Sequence, residues 1–325
     1  MVRALVAKKE HKDSLSTFQT LIVSTATRVG MGNLVGVVAA VSAGGAGAVF
    51  WMWITALIGS ATAFIEATLA QLHKEKDPLY GGYRGGPAYY IHHFFEEKSG
   101  KKKKHVLVAV LFAISGLICW CGISQVISNS VSSAFENAFH IPALYTTIVL
   151  VILAAVIVLR KNATVKVLDI LVPIMATCYF AITLFIIFKN VTLLPSVFAR
   201  IFEEAFGIRQ AVAGGFGAIL MNGVKRGLFS NEAGMGSTPH AHARAVVKNP
   251  HCQGLAAMIS VFIDTFIVLN LTVFSILTTN SLSSGKDGIM LTQYAFSTVF
   301  GSFGDIFIAV CLLFFAFSTI LGWHF

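Results

Sequence analysis

The hexapeptide Arg28-Val29-Gly30-Met31-Gly32-Asn33 lies in the middle of an otherwise apolar stretch, residues 14–43. Two glycines, an arginine and an asparagine at that place interrupt the hydrogen-bonded ladder of a helix. In hydrocarbon each main-chain group released by a break needs another partner, so such breaks persist where they line a cavity. The half-helix that starts after the break points free amides and a partial positive charge into the gap. Gly30, Met31 and Gly32 would supply those amides, and the group that suits them is a carboxylate. Asn33 adds a side chain that both donates and accepts. The alternative is a helix kink with no ligand. A dinucleotide-binding turn does not fit, because the next glycine is Gly36 and no strand precedes the motif.

A second glycine-rich interruption, Gly214-Gly215-Phe216-Gly217-Ala218, falls in the sixth apolar segment. Two broken spans five apart are the pattern of an inverted repeat, in which the breaks face each other and mark the solute site of a transporter. Three ionisable residues also fall within apolar segments. Arg28, Glu66 and Asp264 must face protein or water, since exposure to lipid is costly. Glu66 is suited to accept bonds from unwound backbone, and Asp264 to pair with a cation or with Arg28. Both could equally serve to hold the breaks open. Gln125, in the third segment, faces either a pocket or another helix, and can bind a carboxylate or an ammonium without bringing in a charge.

These groups need a frame, and composition says which. Apolar residues make up 56% of the 325-residue chain and charged residues only 12%, about half the share usual in a soluble protein. The expectation is an all-α polytopic membrane helix bundle forming a single transmembrane domain over 1–325, with no soluble domain. Eight segments are long enough to span or nearly so: 14–43 (broken), 48–72, 105–133, 143–159, 166–188, 207–228 (broken), 253–279 and 303–323. Pro87 to Lys98, with Tyr89, Tyr90, Phe94 and Phe95, reads as an interfacial helix.

The net charge of +9 sits in loops, so it sets orientation rather than implying nucleic acid. With the N-terminus in the cytoplasm, 19 Lys and Arg residues fall on the inner side and 4 on the outer. Lys101 to Lys104 anchor the third span in that topology, or bind anionic lipid. The five cysteines lie in spans or at their inner ends, so no disulfide framework is expected. His240-Ala241-His242 does not make a metal site, because residues two apart on a helix do not share a face.

Four strings carry a family resemblance: Arg28 to Asn33, Gly47 to Trp53, Gly85-Gly86-Pro87-Ala88-Tyr89-Tyr90-Ile91, and Gly227-Leu228-Phe229-Ser230-Asn231-Glu232-Ala233-Gly234-Met235-Gly236-Ser237. Together, and in this order, the chain resembles the alanine or glycine:cation symporters, sodium-coupled amino-acid importers of bacterial and archaeal plasma membranes. The resemblance implies a leucine-transporter-like fold of five plus five inverted helices, with one further span in front. About eight core spans are present, so the chain is expected to lack the preceding span and the last two. Ala46 stands where the family usually has proline.

What the resemblance implies for the site follows. Alanine or glycine would bind at the first break, and Na+ would be the coupling ion. Sodium would be held by carbonyls of Ala26 and Val29 together with Ala316 and the hydroxyls of Ser318 or Thr319. Those hydroxyls could also simply bond their own helix. Phe216 would cover the apolar side of the solute and Trp323 would help close the pocket. Two other readings stay open: a non-transporting fragment that keeps the motifs, and a membrane enzyme built on Glu66, Asp264 and the histidines. The second lacks a paired carboxylate motif, a nucleophile elbow or a metal constellation.

Overall fold

The structure, a computed structural model, describes residues 17–28, 30, 32–78, 82–159, 164–208, 215–247 and 249–324. The first span is a helix α1 (Thr17–Arg28), a bend at Gly30, a π-helical turn π1 (Gly32–Gly36) and a helix α2 (Val37–Gly44). Next come α3 (Gly47–Leu72), a two-residue antiparallel pairing of β1 (Glu75–Lys76) with β2 (Tyr83–Arg84), and α4 (Pro87–Ser99). Then follow α5 (Leu107–Phe139), α6 (Ala143–Leu159), α7 (Thr164–Lys189) and α8 (Leu194–Ala205). The remaining elements are α9 (Gly215–Asn231), α10 (Thr238–Ala243), α11 (His251–Phe262), a second π-helical stretch π2 (Ile263–Leu269), α12 (Asn270–Thr278), α13 (Gly288–Phe300) and α14 (Ser302–His324).

The protein is thus an all-helical membrane bundle. Among the described residues, Gly47–Leu72, Leu107–Phe139, His251–Thr278 and Ser302–Thr319 are each long and apolar enough to cross a membrane. Pro173–Lys189 and Val191–Ala205, bent by 71°, would make a fifth if taken together. The other expected spans are present as shorter helices. Among the described residues the first span lies in pieces of 12 residues and fewer on either side of the break, and α9 is described from Gly215. The helix expected over Pro87 to Lys98 is α4. Among the described residues three helices are additional to the expected set, α8, α10 and α13, because short segments between spans lack a long apolar run.

α3 is the central helix, flanked along its length by α9 and α11. The contact with α9 is close because α9 places glycine there. A Cβ on Gly223 would come within 2.5 Å of the Ala48 carbonyl oxygen, and one on Gly227 within 3.2 Å of Met52 Cα. Small residues at such crossings let helices gain dispersion contact where lipid provides no hydrophobic drive. On the other side, α14 packs against α1, α5, α7 and α13. Tyr179 of α7 is buried there, its hydroxyl 2.6 Å from Thr272 Oγ1 and its ring stacked on Phe296. Helices α5 and α6 turn Leu111, Ile118, Leu144 and Val151 outward, the exposure expected of a lipid-facing surface.

Candidate functional site

The break in the first span is held by its own asparagine. Asn33 N–H donates to the Gly30 carbonyl at 3.2 Å, and Asn33 Nδ2 donates to the Arg28 carbonyl at 3.2 Å. The end of α1 therefore keeps a partner for a carbonyl that the break removes from the helical ladder. At the next turn Thr292 Oγ1, from α13, donates to the Leu34 carbonyl at 3.0 Å. Two main-chain carbonyls beside the break, those of Arg28 and Leu34, are thus met by side chains, one from the same span and one from a neighbouring helix.

Asn33 also reaches across to two other spans. Its Nδ2 donates to Asp264 Oδ1 at 2.7 Å, and its Oδ1 lies 3.1 Å from Ser230 Oγ. Ser230 Oγ is in turn 3.0 Å from Asp264 Oδ2, and Thr265 Oγ1 is 3.3 Å from that same oxygen. Asn33, Ser230 and Asp264 are all buried. They come from π1, the last turn of α9 and π2, so one polar cluster ties the first, sixth and seventh spans at a single level. A π-turn inserts a residue into the helical ladder and recurs at functional sites. Here two such turns lie side by side and carry the two members with planar heads.

Arg28 does not pair with Asp264. Its Nη1 donates to the Ala257 carbonyl at 3.1 Å and to Ser260 Oγ at 2.6 Å, both on α11. Glu66 does what its position suggested: its Oε2 accepts the Gly234 amide at 3.0 Å, in the turn after α9. That turn is genuinely unwound, with positive φ at Glu232, Gly234 and Gly236. Glu232 closes it locally through Ser237 Oγ at 2.6 Å.

The facing of the two breaks needs correction. Gly30 to Asn33 meet Ser230, not Gly215: a Cβ on Gly32 would lie 2.6 Å from Ser230 Cα. Gly215 is the first described residue of α9, fifteen residues before Ser230 and about 22 Å away along the helix. The segment 209–214 lies outside the described residues. The irregular backbone near the first break is instead the turn from Glu232 to Ser237.

The other expected residues are spread over the bundle. Gly30 and Gly32 are buried at the break, and Met31 and Val29 lie outside the described residues. Ala26 is in α1, against which α14 packs, and Ala316, Ser318 and Thr319 are buried on α14. Ser318 and Thr319 both donate to the Phe315 carbonyl, at 2.8 and 3.0 Å. A hydroxyl that donates to its helix keeps its oxygen lone pairs, so this donor set still suits a hard cation such as sodium. Gln125 is exposed on α5. Phe216 is 45% exposed in the first turn of α9, its ring 5.8 Å from that of Trp51, so it is remote from Asn33. Trp323 falls in the last turn of α14, and its side chain lies outside the described set.

His240 and His242 point to different neighbours. His242 Nδ1 is 2.8 Å from Gln253 Oε1, and burial pushes its imidazole down to about 4. His240 sits under Gly86 and against Trp120. The residues that spacing did not single out are Ser230, Ser260 and Thr265. A lone hydroxyl in an apolar helix carries no signal of its own, although Ser230 stands inside the long string from Gly227 to Ser237.

Comparison with known proteins identifies the family. The model of the family described as "Sodium:alanine symporter family" matches residues 1–325. The amino-acid carrier protein AlsT of Bacillus subtilis (strain 168) is 42% identical over 323 residues, covering 99% of this chain and 67% of AlsT. The probable sodium/glutamine symporter GlnT of the same organism is 42% identical over 326 residues, covering 99% of this chain and 66% of GlnT. The sodium/proton-dependent alanine carrier protein of Bacillus sp. (strain PS3) is 34% identical over 341 residues, covering 100% of this chain and 74% of that carrier. The chain spans about two thirds of the length of most of the curated relatives it matches.

Proposed function

Because the chain belongs to the sodium:alanine symporter family, we propose that it forms the solute- and ion-binding core of a sodium-coupled symporter importing a small neutral amino acid, alanine or glycine, by alternating access. The observation that carries this reading is the break at Gly30, held open by a buried polar cluster joining three spans. In this reading the amides of Gly30, Met31 and Gly32 take the solute carboxylate. Asn33 acts through its own bonds: both its amide protons are engaged, so it shapes the break rather than gripping the solute. Trp323 helps close the pocket. Gln125 on α5 is the further polar group of this reading; Phe216, about 21 Å from Ser230 along α9, does not reach the break and has no part in it. The fold in this reading is an incomplete leucine-transporter-like five-plus-five repeat, a single domain with its N-terminus in the cytoplasm of a bacterial or archaeal cell.

Sodium would bridge α1 and α14 through Ala26, Val29, Ala316, Ser318 and Thr319, steadying the first span in the arrangement that presents the amides. One cation moving inward gains about 2.3 kcal/mol per 100 mV of membrane potential, besides its own gradient. That energy would be delivered to the helix that binds the solute.

Labelled-alanine uptake into proteoliposomes, with and without a sodium gradient, tests the proposal. It is run for this chain and for a chimera in which residues 1–325 replace the matching part of AlsT. Competition by glycine and by glutamine sets the solute size. Sodium-dependent uptake is expected; uptake indifferent to sodium removal refutes the coupling. Asn33→Leu is expected to abolish uptake, because the Arg28 carbonyl, Asp264 and Ser230 all lose their shared partner. Thr319→Val is expected to raise the sodium concentration for half-maximal uptake about tenfold, the loss of roughly 1.4 kcal/mol for one oxygen ligand.

A further inference from the structure

The hydrogen-bonded ring of Asn33, Ser230 and Asp264 can be counted proton by proton. The orientation of the Asn33 amide is set by the Arg28 carbonyl, which only accepts, so Nδ2 faces it at 3.2 Å. Nδ2 then supplies the proton to Asp264 Oδ1 at 2.7 Å, and Oδ1 of Asn33 is left facing Ser230 Oγ at 3.1 Å. An amide oxygen has no proton to give, so the Ser230 hydroxyl proton goes there. The third contact, Ser230 Oγ to Asp264 Oδ2 at 3.0 Å, then joins two oxygens with no proton between them unless Asp264 provides one.

We propose that Asp264 is a proton-binding site, and that its proton closes a three-membered ring of hydrogen bonds joining the first, sixth and seventh spans. The step is a simple association: a proton from water forms an O–H bond at Asp264 Oδ2, and the cluster becomes more positive by one. The ring then runs in one sense, from Asn33 Nδ2 to Asp264 Oδ1, from Asp264 Oδ2 to Ser230 Oγ, and from Ser230 Oγ to Asn33 Oδ1. Thr265 Oγ1 still donates to Asp264 Oδ2. Loss of the proton sets Ser230 Oγ against a carboxylate oxygen and loosens the clamp at the broken span. The charged groups acting on Asp264 are Arg28 from α1 and Glu232 from the turn after α9; Glu66 from α3 acts on Arg28. Among the described residues no Lys or Arg lies within ion-pair distance of Asp264, so the proton count of the ring rests on Asp264 itself. This rests on the symporter reading and adds to it a proton site apart from the sodium ligands on α1 and α14.

The test does not use transport. Infrared spectra of the purified protein, taken across a pH series, are compared for the parent, Asp264→Asn and Ser230→Ala. A protonated-carboxyl C=O band is expected in the parent, to vanish reversibly at high pH, and to be missing in Asp264→Asn. Ser230→Ala, which keeps the carboxyl but removes its acceptor, is expected to shift the band. Potentiometric titration over the same range should count one proton fewer for Asp264→Asn. The same carboxyl absorption in the parent and Asp264→Asn overturns the proposal, as does a band unmoved in Ser230→Ala. A protein that shows the band but never accumulates alanine would keep the proton site and count against the symporter reading instead.

Discussion

Gly32→Ala is expected to abolish uptake and to lower the thermal unfolding midpoint of the purified protein. The added methyl carbon would lie 2.6 Å from Ser230 Cα, 3.2 Å from its Cβ and 3.3 Å from its amide nitrogen. Backbone atoms of a helix cannot swing aside as a flexible side chain can. α9 is itself pressed on α3 at Gly223 and Gly227, so it has no room to retreat. The strain therefore falls on the break, and the 3.1 and 3.0 Å contacts of Ser230 with Asn33 and Asp264 must open. Overpacking costs about 1–3 kcal/mol, and each buried polar group left without a partner about as much again. Gly116→Ala on α5 is the matched control, since a Cβ there meets nothing within 4 Å. Equal behaviour of the two variants would show that π1 and α9 do not touch as described.

Glu204→Ala is expected to lower the stability of the bundle by roughly 1–3 kcal/mol, the cost of leaving buried amides without their charged acceptor. Glu204 is 1% exposed. Its Oε2 accepts the Ala46 amide at 2.6 Å and, more weakly, the Gly47 amide at 3.4 Å, while its Oε1 takes Arg200 Nε at 2.6 Å. A carboxylate from α8 thus caps the positive end of α3, the helix on which α9 and α11 both lean. Alanine would strand the amides and leave the Arg200 cation without its partner. Glu204→Gln keeps an acceptor for the amides but not the charge, so an intermediate loss is expected. Unfolding midpoints and amide exchange at Ala46 and Gly47 measure both; a Glu204→Ala protein as stable as the parent would show that this cap carries no weight.

The uneven legibility of the site has a physical origin. Gly30 to Asn33 could be read directly, because polar and glycine residues in hydrocarbon have few structural excuses. Glu66 could be read for the same reason, and it does accept an unwound amide. The partner of Arg28 could not. Arginine has five donors and will take any acceptor within reach, so the choice of Ser260 over Asp264 depends on how α1 leans on α11. Glu204 carries no signal of its own, as one acidic residue in a short amphipathic stretch, and π2 leaves none in the sequence because an inserted residue keeps the apolar run intact.

The chain's class, its helical content, the interrupted first span and the family follow from residue types alone, since lipid punishes every unpaired polar group regardless of what surrounds it. The meeting of Asn33 with Ser230 and Asp264 was decided only in three dimensions. It brings together residues 197 and 231 positions from Asn33 in the chain, and no local pattern carries that information. Glycine on π1 allows the approach, and the depth at which α9 crosses the break determines that Ser230, rather than Gly215, stands opposite it.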